Sequence, residues 1–405
     1  MKILIAPNIK ASAFKSNIKN TTPLLLPVGN KALFSRFLES FPKNSEFIVL
    51  ISEGKEDLID YAALAHPEMN IFFLDHHGTV KDVKHSRLQS KKNAVWGIRN
   101  EKTYQQALAK YQANYTFPGK NVEYAYRIQD RVIKFFADKK GAELRFKRAK
   151  DYPRIFAKPV HCRGRFFSYV YQPGRMLSSC INEKEVMKFL RWAQKHLWRR
   201  KRIRLSSAEN INRQFYRNKT LLRLQNFLAL YLRKEPKYLI INGRVCPSIE
   251  TLMRKIPSDF YQQGQYGLYH GDLHDDNIVI TSAGYRLIDW RDRFGPSVDI
   301  GDCYYDLAKF FHTLDLSVAV MASGAYSFKK KGRHVHIFHS CSRSRQRAQK
   351  AFWSFVTQFG CDPKRIELIT ALLFINMAPF YPKLLAQYLY YLGRYRLTTA
   401  LASSN

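Results

Sequence analysis

The sequence is short of acidic residues. It contains 67 Lys and Arg against 32 Asp and Glu, so its 405 residues carry a formal net charge of +35 at pH 7. A surplus of this size is typical of proteins that bind nucleic acids or anionic membranes. The basic residues are scattered along most of the chain, however, and their densest runs are RRKRIR (199–204), FKKKGRH (328–334) and SRSRQRAQK (342–350). Specific nucleic-acid binding is therefore not expected, and weak association with anionic membranes stays an alternative.

Cysteines and long apolar runs are also scarce. The six cysteines are widely spaced and form no CxxC pair, which favours free thiols in a reducing compartment. The longest weakly charged stretch, 368–382, is too short for a membrane span and contains Asn376, Pro379 and Pro382. The first residues, a short apolar run before Pro7, do not resemble a secretory leader. We therefore expect a cytoplasmic protein.

The first 80 residues alternate between strand and helix patterns. The strand patterns are KILIA (2–6), FIVLI (47–51) and NIFFLD (70–75), and the helix patterns are KALFSRFLESF (31–41) and KEDLIDYAALA (55–65). This alternation predicts a parallel α/β sheet. The segment 81–116 is polar and basic, with a helical pattern around 101–112.

From about residue 117 the pattern changes to paired strands. VEYAYRI (122–128) and RVIKFF (131–136) predict a hairpin with Gln129-Asp130 at its turn. A charged helix (138–150) and a second strand pair (154–162 and 165–172) are predicted next. From residue 183 the sequence predicts a largely helical chain, apart from a strand–loop–strand passage at 266–290.

The strongest chemical signal lies in that passage, where YHGDLHDDNIVI (269–280) precedes GYRLIDWRD (284–292). Phosphoryl transfer requires a positioned hydroxyl and a metal that neutralises the triphosphate charge. Asp272 can accept the hydroxyl proton, while Asn277 and Asp289 can ligate the metal. Any one of these residues alone would more often cap a turn or a helix. Together and in this order they indicate phosphotransfer.

HGDLHDDN and the downstream LIDW resemble the catalytic loop and metal-binding Asp of the aminoglycoside phosphotransferase and choline kinase-like families, over roughly 117–395. The resemblance implies an α+β, bilobal, protein-kinase-like fold. Its small β-rich N-lobe would be 117–182, and its helical C-lobe would be 183–398 with the catalytic loop at 269–292. It also implies ATP and Mg2+ as cofactors, Asp272 as catalytic base, and Asn277 and Asp289 as magnesium ligands. The acceptor would be a small-molecule hydroxyl, on a sugar or an amino-alcohol.

Three further residues are expected to support the catalytic loop. His270 is expected to brace the loop by hydrogen bonding, and His274 to face the substrate. In the resembling families an acid on the helix after the metal-binding Asp braces the same loop, and Asp306 stands there. The other nearby acids are interpreted as a solvated or outer set, namely Asp275, Asp276 and Asp292.

The N-lobe of such a kinase needs a lysine on a strand for the α- and β-phosphates. Lys134 in RVIKFF is the candidate, because a lysine within so apolar a strand costs desolvation unless an anion pairs with it. Glu143 in the next helix is the predicted counter-ion. The alternative, equally open, is a surface i,i+4 pair of Glu143 with Lys139 or Lys147. A glycine-rich phosphate loop is absent, since FPGKNVEY (117–124) has a single glycine.

The segment TTPLLLPVGNKALFSRFLESF (21–41) resembles the PKPLLPV-GNKPLL segment of sugar-phosphate nucleotidyltransferases. Their glycine-rich turn is missing, because APNIKASAFK (6–15) has no glycine and offers no backbone cradle for phosphate. We therefore interpret 1–112, the head segment, as a truncated, non-catalytic α/β module. A chain beginning near Thr116 is then expected to keep its kinase activity. This order of modules is similar to bacterial capsule biosynthesis proteins.

Three functions stay open on the sequence alone. The first is an ATP-dependent phosphotransferase with an alcohol group as acceptor, in bacterial envelope polysaccharide biosynthesis. The second is a pseudokinase or scaffold that binds nucleotide without turnover, and the third is a basic nucleic-acid or membrane binder. The intact set of Asp272, Asn277, Asp289 and Lys134 favours the first. The sequence does not indicate an oligomeric state.

Overall fold

The computed structural model describes residues 2–5, 22–41, 45–51, 54–75, 102–104, 106 and 123–402. The chain divides into two compact units. Unit 1 consists of Met1–Pro153 and Ala157–Tyr171, and unit 2 of Arg154–Phe156 and Gln172–Asn405. The domain boundary expected between 112 and 117 therefore falls inside unit 1, and residues 107–122 lie outside the described part.

The described part of unit 1 combines two main sheets with helices. Its elements are β1 (Lys2–Ile5), β2 (Pro27–Val28), β3 (Lys31–Ala32), α1 (Leu33–Leu38), β4 (Glu46–Ile51), α2 (Lys55–Ala65), β5 (Asn70–Asp75), β6 (Tyr124–Ile128), β7 (Arg131–Phe135), α3 (Lys139–Asp151), β8 (Pro159–Arg163) and β9 (Phe166–Val170). The predicted parallel sheet is present, with the strand order β1-β4-β5 and helices between the strands. Of the helix expected at 101–112, only Lys102–Tyr104 and Gln106 are described, and they are helical.

The second sheet of unit 1 is antiparallel, with the order β6-β7-β9-β8. Gln129 closes the predicted β6–β7 hairpin with φ of +54°, a left-handed conformation that tight turns require. Gly164 has the same φ between β8 and β9, where a Cβ atom would stand 2.0 Å from Asp60 Oδ2. Any other residue there would displace the Asp60 side chain, which accepts a hydrogen bond from Arg163. The helix after the hairpin begins as predicted, because the Asp138 side chain accepts a bond from Gly141 N–H at 2.7 Å.

One hydrophobic core joins the head segment to this antiparallel sheet. Leu25, Phe34, Phe47 and Tyr61 belong to the same buried cluster as four residues of the sheet, namely Tyr126, Ile133, Phe135 and Phe166. The rings of Tyr61 and Tyr126 lie 4.9 Å apart at their centroids. Ion pairs border this core, with Arg165 Nε 2.9 Å from Asp57 Oδ1. The head segment and the β6–β9 sheet therefore fold as one unit.

Unit 2 is mainly helical. Its elements are β10 (Arg175–Met176), α4 (Glu183–His196), α5 (Leu205–Asn212), α6 (Lys219–Phe227), β11 (Tyr238–Ile241), β12 (Arg244–Pro247), α7 (Ile249–Arg254), α8 (Asp259–Gln262), β13 (Tyr266–Gly267), β14 (Ile278–Thr281), β15 (Gly284–Leu287), β16 (Gly301–Asp302), α9 (Cys303–Asp315), α10 (Val318–Ser323), β17 (Tyr326–Lys331), β18 (His334–His339), α11 (Arg343–Gln358), α12 (Pro363–Met377) and α13 (Lys383–Ala402). A wide helical turn, Arg213–Asn218, joins α5 to α6.

Helix α9 is the centre of unit 2, because every residue in it is buried. It packs against α11 and α12, and α12 packs in turn against α13. A helix that is surrounded on all sides presents its few polar side chains to fixed partners. Asp306 and Lys309 therefore have rigid positions.

The strand–loop–strand passage forms the antiparallel hairpin β14–β15, in which Ile278 pairs with Leu287. This register brings the residues before β14 and after β15 to the same end of the hairpin. The structure also adds a four-stranded sheet, ordered β12-β11-β18-β17, where the sequence predicted helices only. The start of each strand, YSFK (326–329) and HVHI (334–337), alternates apolar and polar residues, a strand signal that the sequence interpretation overlooked. None of the described helices is long and apolar enough to cross a membrane.

Candidate active site

Asp306 holds the backbone of the catalytic loop. Its two carboxylate oxygens accept hydrogen bonds from the N–H groups of His270 and Gly271, each at 2.7 Å. The indole N–H of Trp198 donates a third bond to the carboxylate at 3.2 Å. Asp306 is fully buried on α9, so these bonds are shielded from water. The structure thus brings together the loop and the acid that the sequence expected to brace it.

The His270 ring connects the catalytic loop to the segment before Asp289 through two hydrogen bonds. Its Nδ1 atom accepts a hydrogen bond from Asp272 N–H at 3.1 Å, and its Nε2 atom donates to Ile288 O at 2.7 Å. Burial lowers the pKa of His270 to about 4, so the ring is neutral near pH 7. The neutral ring has one N–H, and this bonding pattern places it on Nε2. His270 therefore ties the loop to the chain segment that precedes Asp289.

Asp272 forms a buried ion pair that sequence reasoning missed. Lys309 Nζ lies 3.0 Å from Asp272 Oδ1, and only 5% of the Lys309 side chain is exposed. His274 Nε2 lies 3.9 Å from the other carboxylate oxygen. Lys309 follows Asp306 by three residues on α9, so both point to the same side of the helix. That spacing was the only signal in the sequence, and many surface lysines share it.

Asn277 and Asp289 lie at one end of the β14–β15 hairpin. The Asn277 side chain donates through Nδ2 to Asp272 O at 2.9 Å, which leaves its amide oxygen as the atom for a metal. Asp289 has φ of +60°, a left-handed conformation uncommon for residues other than glycine and enriched at functional sites. A carboxylate and an amide oxygen are the hard donors that Mg2+ prefers. The residues present therefore fit a magnesium site.

Lys134 and Glu143, both in unit 1, do not form the predicted pair. Lys134 is 8% exposed on β7, and its Nζ lies 5.9 Å from the centroid of the Phe136 ring on the same strand face. The Glu143 side chain is 52% exposed and forms its ion pair with Lys139, at 3.8 Å. The counter-ion prediction is corrected accordingly. Glu143 takes the surface i,i+4 role because α3 turns that side of the helix to solvent.

Asp275 supports the catalytic loop from within unit 2. It is fully buried, which excludes the solvated alternative and leaves the outer supporting role that the sequence also offered. Arg345 Nη2 donates to Asp275 Oδ2 at 2.8 Å, and Arg345 Nη1 donates to Thr313 O at 2.7 Å. Burial raises the pKa of Asp275, and the arginine opposes that shift. Arg345 belongs to the basic run 342–350, so this part of the run anchors the catalytic loop to α9 and α11.

The family model described as the phosphotransferase enzyme family (APH) matches residues 188–332. The match includes the catalytic loop, Asp289, Asp306 and Lys309. It confirms the predicted enzyme class, a phosphotransferase that acts on hydroxyl groups. It also supports the predicted phosphotransferase type of fold for this part of the chain.

Solved structures of small-molecule kinases show a distant likeness to the chain. A glucosamine kinase is 12% identical, with 67% of this chain and 74% of that chain covered and a TM-score of 0.41. The Plasmodium vivax ethanolamine kinase is 15% identical, with 74% and 89% covered and a TM-score of 0.38. A choline/ethanolamine kinase family protein from Mesorhizobium loti is 11% identical, with 66% and 79% covered and a TM-score of 0.34. TM-scores this low do not establish a common fold. Among curated proteins, none matches the sequence.

Proposed function

We propose that this protein transfers the γ-phosphoryl group of ATP to a hydroxyl of a small molecule, with Asp272 as the base. One observation carries the proposal. The carboxylate of Asp272 sits on a loop that Asp306 holds through two backbone hydrogen bonds, next to two oxygen ligands suited to Mg2+. A sugar or amino-alcohol acceptor, and a role in bacterial envelope polysaccharide biosynthesis in the cytoplasm, follow from the resemblances of the sequence.

The residues have separate roles in this reaction. The carboxylate of Asp272 accepts the proton of the acceptor hydroxyl while the hydroxyl oxygen attacks the phosphorus atom. Lys309 orients that carboxylate, because its ammonium group lies 3.0 Å from Oδ1. Asn277 and Asp289 would hold Mg2+, which neutralises phosphate charge when bound. Lys134 is proposed for the α- and β-phosphates.

The two competing functions receive less support. A pseudokinase would be free to lose the base or a metal ligand, and this chain has kept Asp272, Asn277 and Asp289. A nucleic-acid or membrane binder would use its basic runs as a surface, but Arg345 in one of those runs pairs with the buried Asp275, with 11% of its own side chain exposed. For the head segment we keep the proposal of a non-catalytic nucleotidyltransferase remnant. Pyrophosphate release from CTP, UTP or GTP with a sugar phosphate would contradict it.

The proposal is tested by ATP consumption. The full-length protein is incubated with Mg-ATP and a panel of sugars, sugar phosphates, sugar acids and amino-alcohols, and ADP and phosphorylated product are measured. We expect acceptor-dependent ADP release that disappears in Asp272→Asn. Mg-ATP binding without turnover on any acceptor would instead support the pseudokinase.

A further inference from the structure

Four basic side chains of unit 2 form a row of neighbours that begins at Asp272. The first, Lys309, forms the ion pair already described. The second, Arg291, is fixed to the catalytic loop, because its N–H donates to His270 O at 2.9 Å. Its side chain lies against Gly271, where a Cβ atom would stand 2.8 Å from Arg291 Cβ. The Arg291 side chain therefore starts beside Gly271, the residue that precedes Asp272.

The other two cations come from the start of α6. Lys219 and Arg223 are four residues apart, on the same side of the helix. Lys219 Nζ lies 3.9 Å from the centroid of the Phe215 ring and 5.9 Å from that of Tyr305. The guanidinium of Arg291 also lies 5.9 Å from the Tyr305 centroid. Lys219 and Arg291 thus share one aromatic ring beside the catalytic loop.

Lys219 and Arg223 have aromatic partners in place of acids. Arg223 lies 4.2 Å from the centroid of the Phe380 ring. Neither cation forms an ion pair or hydrogen bond with any residue in the described part of the chain. An aromatic face stabilises a cation less than a carboxylate does, and it leaves the positive charge available to a ligand.

The electrostatics of this cluster are unfavourable without an added anion. Burial lowers the pKa of Lys219 well below its ordinary value, and Arg291, Arg223 and Lys309 lower it further. Asp272 opposes the shift as the nearby acid. Burial, followed by Arg291, also lowers the pKa of Arg223. Lys219 and Arg223 are half-buried and have no ion-pair partner in the described part of the chain, so a bound anion would stabilise them, whereas Asp272 and Asp292 lie near enough to Arg291 to favour its charge.

A small cavity adjoins the cluster, and Lys219, Tyr305 and Asn376 are among its lining residues. The amide nitrogen of Asn376 donates to Thr220 Oγ1 at 2.8 Å and to Leu372 O at 2.7 Å. Its amide oxygen is buried and has no hydrogen-bond partner among the described residues. A buried acceptor without a partner is costly, and a hydroxyl group satisfies it. The cavity has room for about one water molecule, and both Lys219 and the Asn376 oxygen line it.

We propose that the phosphoryl acceptor is an anionic alcohol, whose phosphate or carboxylate group binds Lys219, Arg223 and Arg291 while its hydroxyl meets Asp272. This inference rests on the proposed function and narrows its substrate class. Cationic amino-alcohols are disfavoured, because their ammonium group would face four basic side chains. A phosphorylated sugar and a sugar acid share the recognised chemistry, and the experiment separates them.

The kinetic test uses matched pairs of acceptors with the full-length protein and Mg-ATP. The pairs are glucosamine with glucosamine 6-phosphate, glucose with glucuronate, and glycerol with glycerol 3-phosphate, and ethanolamine serves as the cationic probe. We expect kcat/KM to be at least about tenfold higher for the anionic member of each pair that reacts. A preference for sugar phosphates over glucuronate identifies phosphate as the recognised group, and the reverse identifies carboxylate. Equal or better turnover of neutral or cationic acceptors would overturn the inference.

The variant test compares Lys219→Gln/Arg223→Gln with the control Lys329→Gln/Lys331→Gln, which removes two exposed cations of β17. The first variant should lower acceptor kcat/KM at least about tenfold while KM for ATP changes less than about twofold. The control should leave both constants unchanged. An equal rise in KM for ATP would show that the cluster serves the nucleotide and would overturn the inference.

Calorimetry without ATP separates this inference from the proposed function. Glucosamine 6-phosphate, glucuronate and inorganic phosphate are titrated into the wild type and both variants. Binding that is lost only in Lys219→Gln/Arg223→Gln supports the anion site, even if no acceptor is ever phosphorylated. Equal binding to all three proteins, or no binding to the wild type, would contradict the proposed anion site. The phosphotransferase proposal would still be tested separately, by ATP consumption.

Discussion

Among the single residues, Asp272 carries the proposed chemistry. Asp272→Asn preserves the size of the side chain but removes the proton acceptor. We expect kcat to fall by at least about a hundredfold, since a general base contributes on that order. Mg-ATP affinity, measured by calorimetry, should stay close to that of the wild type. Asp276→Asn in the same loop is the matched control and should keep most of the activity; a mutant at 272 with more than about a tenth of the wild-type rate would refute the assignment.

Asp289 is the only charged member of the proposed magnesium pair, since Asn277 is neutral. Asp289→Ala should therefore weaken the binding of Mg-ATP itself, by about tenfold or more. Calorimetric titration of Mg-ATP measures this change, with ATP in the presence of EDTA as the metal-free reference. An unchanged affinity for Mg-ATP would remove Asp289 from the metal site.

His270 makes stability depend on pH in a defined direction. Its native pKa of about 4 lies below the ordinary 6.5, so the unfolded chain takes up the proton first as the pH falls. The stabilisation is complete above pH 6.5 and is lost as the pH falls from 6.5 to 4. It amounts to at most about 3 kcal/mol.

Urea unfolding of the wild type and His270→Gln at pH 7 and pH 4.5 tests this dependence. The variant should lose less free energy of unfolding between the two pH values than the wild type does. The comparison between the proteins is needed because His312, whose pKa burial also lowers, contributes a loss of the same sign in both. Identical pH dependence in the two proteins would show that His270 is not the titrating group.

Among the elements, α9 decides the position of the catalytic loop. Asp306→Asn leaves one acceptor oxygen where the carboxylate has two, so one of the two loop N–H groups loses its partner. We expect the free energy of unfolding to fall by about 1–3 kcal/mol and kcat to fall with it. Denaturant unfolding and steady-state kinetics measure the two effects. Asp299→Asn, an exposed acid in the segment before the helix, is the control; equal behaviour of the two variants would contradict the bracing role.

For the whole molecule, the shared core of unit 1 changes the expectation for a shortened chain. The sequence suggested that a protein beginning near Thr116 would keep its activity. Such a protein would expose Tyr126, Ile133, Phe135 and Phe166, which the head segment buries. Each buried large apolar side chain contributes about 1.5–3 kcal/mol, which together approaches the whole stability of a typical domain. We now expect the shortened chain to aggregate, as measured by solubility and circular dichroism, and a soluble, active product would contradict the shared core.

The positions of several arginines explain part of the net positive charge of the molecule. Several of them form buried ion pairs in unit 2: Arg345 with Asp275, Arg365 with Asp302, Arg394 with Glu235, and Arg396 with Asp315. Lys219, Arg223 and Arg291 form the anion site proposed above. Part of the basic surplus therefore serves packing, and it does not measure affinity for polyanions.

The sequence alone determined the features that depend on neighbours along the chain. The three parallel strands, the β6–β7 hairpin, the β14–β15 hairpin and the order of Asp272, Asn277 and Asp289 all follow from periodicity and short spacing. The tertiary structure alone decided which distant side chains meet. Lys309 reaches Asp272, Arg345 reaches Asp275 from 70 residues away, and Glu143 turns to solvent. Local patterns carry no information about such pairs, because they arise only when helices and sheets pack against one another and fix the direction of each side chain.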